Sequence, residues 1–196
     1  MSQMLTARRF SIEEYQRMGK YGILQEDERI ELIEGEIIRM AAIGSRHAGT
    51  VKHLNMRFSA QAAGRFLVSV QDPIWLPGDS EPEPDIALLR PRADYYTTSH
   101  PTPQDILLVV EVADSSLGYD RRRKLPLYAA AGIPELWIFN LTRNRLERNR
   151  DPQGRRYQQR DILGKEAVLS PLLLPDVTIS VGAILAWDPT IPTRPS

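Results

Sequence analysis

Residues 107–113, LLVVEVA, constrain this chain more than any other stretch. The run does not alternate between apolar and polar residues, as a strand with one wet face would. Four consecutive apolar residues precede Glu111, and that pattern reads as a strand covered on both faces. An isolated carboxylate in such a strand is costly unless it is paired, protonated or bound to a cation. Either Glu111 turns to a solvated surface, or it is buried beside a partner that offsets its charge.

The rest of the chain supplies covering layers. Residues 10–18, FSIEEYQRM, predict a short helix with Ser11 as N-cap and Glu14 completing a capping box. Residues 29–40 predict two strands about a turn at Glu34-Gly35. Residues 47–66 predict a helix with Val51, Leu54, Phe58 and Ala62 on one face and Gly64 as its stop. Residues 66–76 predict a strand broken at Asp72-Pro73, followed by a turn-rich acidic loop (77–85) and a short strand (85–91). Residues 92–104 read as a loop or short helix. After the central strand, residues 114–132 predict a helix closed by Gly132, in which Pro126 is comfortable only in a first turn. Residues 135–141 predict another strand, and 145–161 a polar hairpin about residues 152–154. The expected fold class is α/β, with a mixed central sheet flanked by helices. It forms a single domain over residues 1–190, with 191–196 as a flexible, proline-rich C-terminal tail.

Composition limits the function. A chain of 196 residues suits one domain with a sizeable core. Its 25 basic and 25 acidic residues balance, which argues against a bulk-basic nucleic-acid binder but leaves room for a local basic patch. There is no cysteine, which excludes disulfides, thiolate zinc sites and a cysteine nucleophile, and fits a reducing compartment. The opening residues lack the apolar run of a signal peptide. No stretch approaches the roughly 20 apolar residues of a membrane span. The expectation is a cytoplasmic protein with no membrane partner.

A partner for Glu111 is sought at the end of a neighbouring strand. Asp85 stands where EPDI (83–86) enters a strand, and pairing of that strand with 107–113 would bring the two carboxylates together. Two carboxylates that close repel, and a divalent cation resolves the conflict. Oxygen-only ligation favours Mg²⁺ or Mn²⁺, with the Val112 carbonyl as a third protein oxygen. Lys124, on the helix after the central strand, would direct its ammonium at the same place, to orient a water or stabilise charge on a phosphoryl group. Asp120, four residues earlier, is an alternative partner along the helix. Arg121 to Arg123 read as a solvated helix face or as phosphate contacts, with Arg65, Arg90 and Arg92 as further candidates. Tyr95-Tyr96 reads as loop packing or base stacking. Trp75, Trp137 and Trp187 read as core or rim residues.

Pro84-Asp85, Glu111 and a lysine beyond it resemble the PD-(D/E)xK nucleases, although the usual lysine position, two after the glutamate, is Ala113 here. The wider order is more specific. RIELIEGEIIRM, SRHAGTVKHL, EPDIALLRP, LLVVEVADSS and DRRRKLPLYAAAGIPELWIFNL follow one another and resemble the Uma2 family (DUF820) of restriction endonucleases. In that family the lysine has moved to the following helix, and Lys124 matches it. The family's Glu-Val-Leu-Ser-Pro-Ser stands here as Glu111-Val112-Ala113-Asp114-Ser115-Ser116, without the proline. The resemblance implies a restriction-endonuclease-like fold and a metal-dependent nuclease, and it supplies no substrate; the expected activity is Mg²⁺- (or Mn²⁺-) dependent hydrolysis of phosphodiester bonds in DNA. Asp85 and Glu111 would be metal ligands and Lys124 catalytic. It also brings Glu31 and His47 into the neighbourhood of the metal. Glu31 has a plainer reading as a surface partner of Arg29 or Arg39, and His47 one as a helix cap. A homodimer is the oligomeric expectation. Two other readings stay open: a non-catalytic member of the fold that binds nucleic acid or a protein, and a metal-dependent hydrolase of another phosphate-containing substrate.

Overall fold

Both faces of the run at 107–113 are covered, as its unbroken hydrophobicity requires. The computed structural model describes residues 6–25 and 27–186; Trp187 and the expected tail at 191–196 lie outside them. The elements run α1 (Ile12–Lys20), β1 (Ile30–Ile33), β2 (Glu36–Arg39), α2 (Ser45–Ala62), β3 (Leu67–Ser69), β4 (Ile86–Leu89) and β5 (Ile106–Ala113). A helical segment follows: α3 (Leu117–Tyr119), a π turn (Asp120–Lys124) and α4 (Leu125–Ala130). Then come β6 (Glu135–Asn140), β7 (Arg145–Gln153), β8 (Arg156–Leu163), β9 (Val168–Leu169), β10 (Ile179–Ser180) and α5 (Val181–Leu185).

Six strands make one sheet in the order β3-β4-β5-β6-β7-β8. Only β5 and β6 are parallel, and the helical segment between them is the crossover such a pair needs. The other neighbours are antiparallel, so the sheet is mixed. All eight residues of β5 are buried. Val110 and Val112 join Val51, Leu54 and Phe58 of α2 and the segment 169–185 on one face. Val109 and Ala113 join Leu127 and Tyr128 of α4, with Ile33 and Ile74, on the other. Because side chains alternate along a strand, Glu111 falls on the α4 face.

The expected helices and the hairpins are present, with local differences. Ser11 and Glu14 form the full capping box of α1. The β1–β2 turn uses Glu34 (φ 52°) and Gly35 (φ 76°), the two left-handed residues of a type I′ connection. A Cβ on Gly35 would stand 2.7 Å from the Arg9 Cβ, so the close approach of the N-terminal segment also demands glycine. Of the strand expected over 66–76 only Leu67–Ser69 joins the sheet, while Leu76 makes an isolated bridge to Ser80. Gln71 adopts a φ of 55° and Pro73 has no N–H to donate, so the ladder stops while Ile74 and Leu76 still reach the core. Strands β9 and β10 and helix α5 were not expected. They are too short to show a period, and tertiary burial of Leu169, Val177, Ile179 and Val181 forms them. Among the described residues no helix is long and apolar enough to cross a membrane.

Phe58 is fully buried, with its ring centroid 6.3 Å from that of Trp137. Phe58→Ala should cost about 3–5 kcal/mol in urea unfolding, whereas Ser59→Ala, on the exposed face of the same helix, should cost less than about 0.5 kcal/mol. Equal effects would contradict this packing.

Candidate active site

The register of β4 on β5 sets Ile86 opposite Val110. Asp85, the residue before β4, therefore arrives beside Glu111. Its Oδ2 accepts the Val112 N–H at 2.8 Å and lies 3.0 Å from His47 Nε2; its Oδ1 accepts from Gln71 Nε2 at 3.1 Å. The N-cap of α2 is Gly44, so His47 serves this pairing rather than a cap. An ionised Asp85 can only accept, so Nε2 carries the proton toward it. His47 Nδ1 is then sealed without a partner among the described residues.

Glu111 is buried, not solvated. Its Oε1 accepts the Tyr128 hydroxyl at 2.6 Å and lies 3.2 Å from Lys124 Nζ. Lys124 Nζ also lies 3.2 Å from Glu31 Oε2 and 3.4 Å from the Glu83 carbonyl, so its three protons have three acceptors. Glu31 is fully buried, and it also accepts from the Tyr119 hydroxyl (2.8 Å) and the Glu83 N–H (3.3 Å). It does not pair with Arg29 or Arg39, which turn to the Ala41 carbonyl and to Glu28.

The π turn is what delivers Lys124. Pro126 cannot donate to the carbonyl four residues back and its ring crowds that carbonyl. The helix widens ahead of it, and the Leu125 N–H reaches back five residues to the Asp120 carbonyl. The proline does sit in a first turn, that of α4, yet helical geometry continues upstream in this wider form. Asp120 and Lys124 are both buried, and Asp120 accepts from Ser116 (2.7 Å) instead of pairing with Lys124.

Electrostatics show a site with more carboxylate than buried cation. Burial, with the nearby charges of Asp85 and Asp120, pushes the Glu111 carboxyl up to about 8, against the pull of Lys124 and Tyr128. Burial likewise raises Asp120 to about 6. For Asp85 burial also acts upward, but His47, the Val112 N–H and Lys124 outweigh it and hold the carboxyl below its ordinary value. Burial disfavours the Lys124 ammonium, yet Glu111, Glu31, Asp120 and Asp85 outweigh that and keep it charged well above its ordinary range. These groups line a cavity of about 450 Å³. Among the described residues nothing donates a hydrogen bond to Glu111 Oε2, although Glu111 lines the cavity.

A hard dication fits this donor set. The acidic donors are all oxygen, and burial raises the Glu111 and Asp120 carboxyls even with Lys124 beside them, a cost that a bound dication would offset. Among the described residues no three histidine or acidic side chains already stand together as a cage. Mg²⁺ does not require one, since it commonly takes one or two carboxylates and completes its shell with water and phosphate.

The structure thus brings together all five expected residues, Glu31, His47, Asp85, Glu111 and Lys124. Tyr128, Tyr119, Gln71 and Glu83 also belong to the site. Tyr128 had a signal, since it lies four residues after Lys124 and so shares its helix face. The others are placed by distant contacts. Arg65, Arg90 and Arg92 turn elsewhere, to Asp176, Gln104 and Asp94. Trp137 is core, and Trp75 donates to Glu81. Tyr96 packs under Arg92 while Tyr95 is exposed.

A six-stranded mixed sheet with its parallel pair joined by helix, and helices on its faces, defines a restriction-endonuclease-like α/β protein. The chain belongs to the Uma2 family, whose description is "Putative restriction endonuclease" and whose model matches residues 12–182. It is similar in fold to the crystal structure of a protein from Anabaena variabilis ATCC 29413 described as "a putative nuclease belonging to DUF820". The TM-score is 0.74 at 15% identity, over 91% of this chain and 98% of that one. No curated protein matches the chain.

Glu111 carries a pH signature. Its raised value in the folded chain means that the stability from its protonated form is complete below about 4.5 and is lost as pH rises through about 8. In chelator, the stability of the wild type relative to Glu111→Gln should fall between about pH 6 and about pH 8.5, by on the order of 2 kcal/mol. A constant difference across that window would mean that Glu111 stays ionised in the folded chain.

Proposed function

We propose that this chain is a Mg²⁺- (or Mn²⁺-) dependent nuclease that hydrolyses phosphodiester bonds in DNA. The observation that supports this most is the Lys124 ammonium held 3.2 Å from Glu111, beside Asp85, in an open cavity. Asp85 and Glu111 are the residues that would hold the ion. When bound, such an ion supplies Lewis acidity toward phosphate oxygen and lowers the pKa of a water. Lys124 is pinned as an ammonium, so it serves as a fixed positive donor toward developing negative charge rather than as a base. Glu31 positions it. His47, with Nε2 directed at Asp85, holds that carboxylate in position. A duplex has two strands, and a two-fold dimer would present one site to each, so we assign a homodimer acting in the cytoplasm.

The test is Mg²⁺ calorimetry with plasmid nicking on the same samples. Wild type should bind and nick, Asp85→Asn and Glu111→Gln should lose both, and Lys124→Met should nick about 10²–10³-fold more slowly. Full metal-dependent nicking by Glu111→Gln would overturn the assignment.

A further inference from the structure

Outside the catalytic cavity, the same face of the sheet carries a second polar cluster. Cross-strand register runs Glu111, Ile138, Glu147 from β5 to β7, and paired residues share a face. Glu147 is therefore two strands from Glu111, on the side of the π turn. It is fully buried, and three arginines meet it. Arg121 brings two N–H groups, Arg160 Nη2 lies 2.7 Å from Oε2, and Arg145 Nη2 lies 3.7 Å from Oε1. Three guanidiniums against one carboxylate leave two positive charges uncompensated. Glu147 holds the like-charged groups together and orders them.

The next pair on this face is Asn140 and Arg145. Asn140 is fully buried, and its Oδ1 accepts the Arg143 N–H at 3.0 Å, which fixes the amide's orientation. Its Nδ2 is left sealed without an acceptor among the described residues, and so is Arg145 Nε. A buried donor left without an acceptor is destabilising. These two donors stand on directly opposed residues, beside excess positive charge.

We infer that Arg121, Arg145 and Arg160, gathered on Glu147, form a subsite for a phosphodiester group of the nucleic-acid backbone a few nucleotides from the one that is cut. This rests on the nuclease reading above. Two strand spacings of about 4.8 Å separate Glu111 from Glu147. That span of about 10 Å is close to the rise of three nucleotides along one duplex strand. The guanidinium fork suits the paired oxygens of a phosphate. It also accounts for a DNA-directed chain with no net charge, since the positive surface is local.

Arg145→Gln is the informative variant, because Arg121 and Arg160 still neutralise Glu147. A short labelled duplex, titrated by anisotropy in chelator at several salt concentrations, should bind Arg145→Gln about tenfold more weakly. The slope of log K against log salt should be shallower by about 1. Asn140→Asp keeps the acceptor for Arg143 and supplies Arg145 with a carboxylate from within, so it should melt higher than wild type and lose duplex affinity. At fixed ionic strength, pyrophosphate should raise the melting temperature of wild type and of neither variant. If both variants keep the wild-type salt slope and pyrophosphate shift while wild type nicks plasmid, the subsite is overturned and the nuclease reading stands. If wild type neither nicks nor binds duplex, yet shows a pyrophosphate shift that needs Asn140 and Arg145, the anion subsite stands and the nuclease reading falls. If wild type shows neither duplex binding nor a pyrophosphate shift, both fall.

Discussion

One ammonium group ties this molecule together. Lys124 Nζ touches Glu31 on the first hairpin, Glu111 on the central strand and the Glu83 backbone in the loop before β4. These segments are far apart in the chain, and each brings a polar group that burial alone would disfavour. An ammonium so deeply buried survives only with its acceptors in place, and the carboxylates need the ammonium equally. The positions of the β1–β2 hairpin, the π turn and the strand end are therefore mutually dependent.

That dependence divides the two faces of the sheet by task. The α2 face is mainly apolar, with Phe58, Trp137 and Phe139 at its centre and an ion pair of the buried Glu135 with Arg150, and supplies cohesion. The α4 face combines an apolar patch with the buried polar groups Glu31, Glu111, Lys124 and, two strands on, Glu147. Polar groups at that depth are stable only in satisfied networks. Among the described residues, four buried side-chain nitrogens lack a protein partner: His47 Nδ1, Arg123 Nε, Asn140 Nδ2 and Arg145 Nε. A π turn sits between the two clusters and sends Asp120 and Lys124 one way and Arg121 the other. Its wider geometry makes this split available, and Pro126 is its local cause.

Much of this was legible in the order of residues. An unbroken apolar run announced a doubly covered strand, and a carboxylate within it announced a compensating partner, because the cost of burying charge does not depend on the fold. The placing of Asp85 at a strand entrance and Lys124 on the following helix needed only a sheet with a crossover. Ser11 and Glu14 marked a helix start by local hydrogen bonding. Local physics determined these features, so one-dimensional spacing carried them.

Tertiary structure alone decided the rest. Glu31 became a buried clamp rather than a surface partner because a hairpin folds against the crossover. Asn140, Arg145 and Glu147 became neighbours of the site because strand register, a property of pairing between distant segments, carries a line of side chains across β5, β6 and β7. Strands β9 and β10 exist only because core packing holds two-residue segments that have no pattern of their own. The sequence by itself determined which groups must find partners. Which partners they found was decided by the lateral register and layering of the sheet, since hydrogen bonds and ion pairs act over a few ångströms in space and are indifferent to distance along the chain.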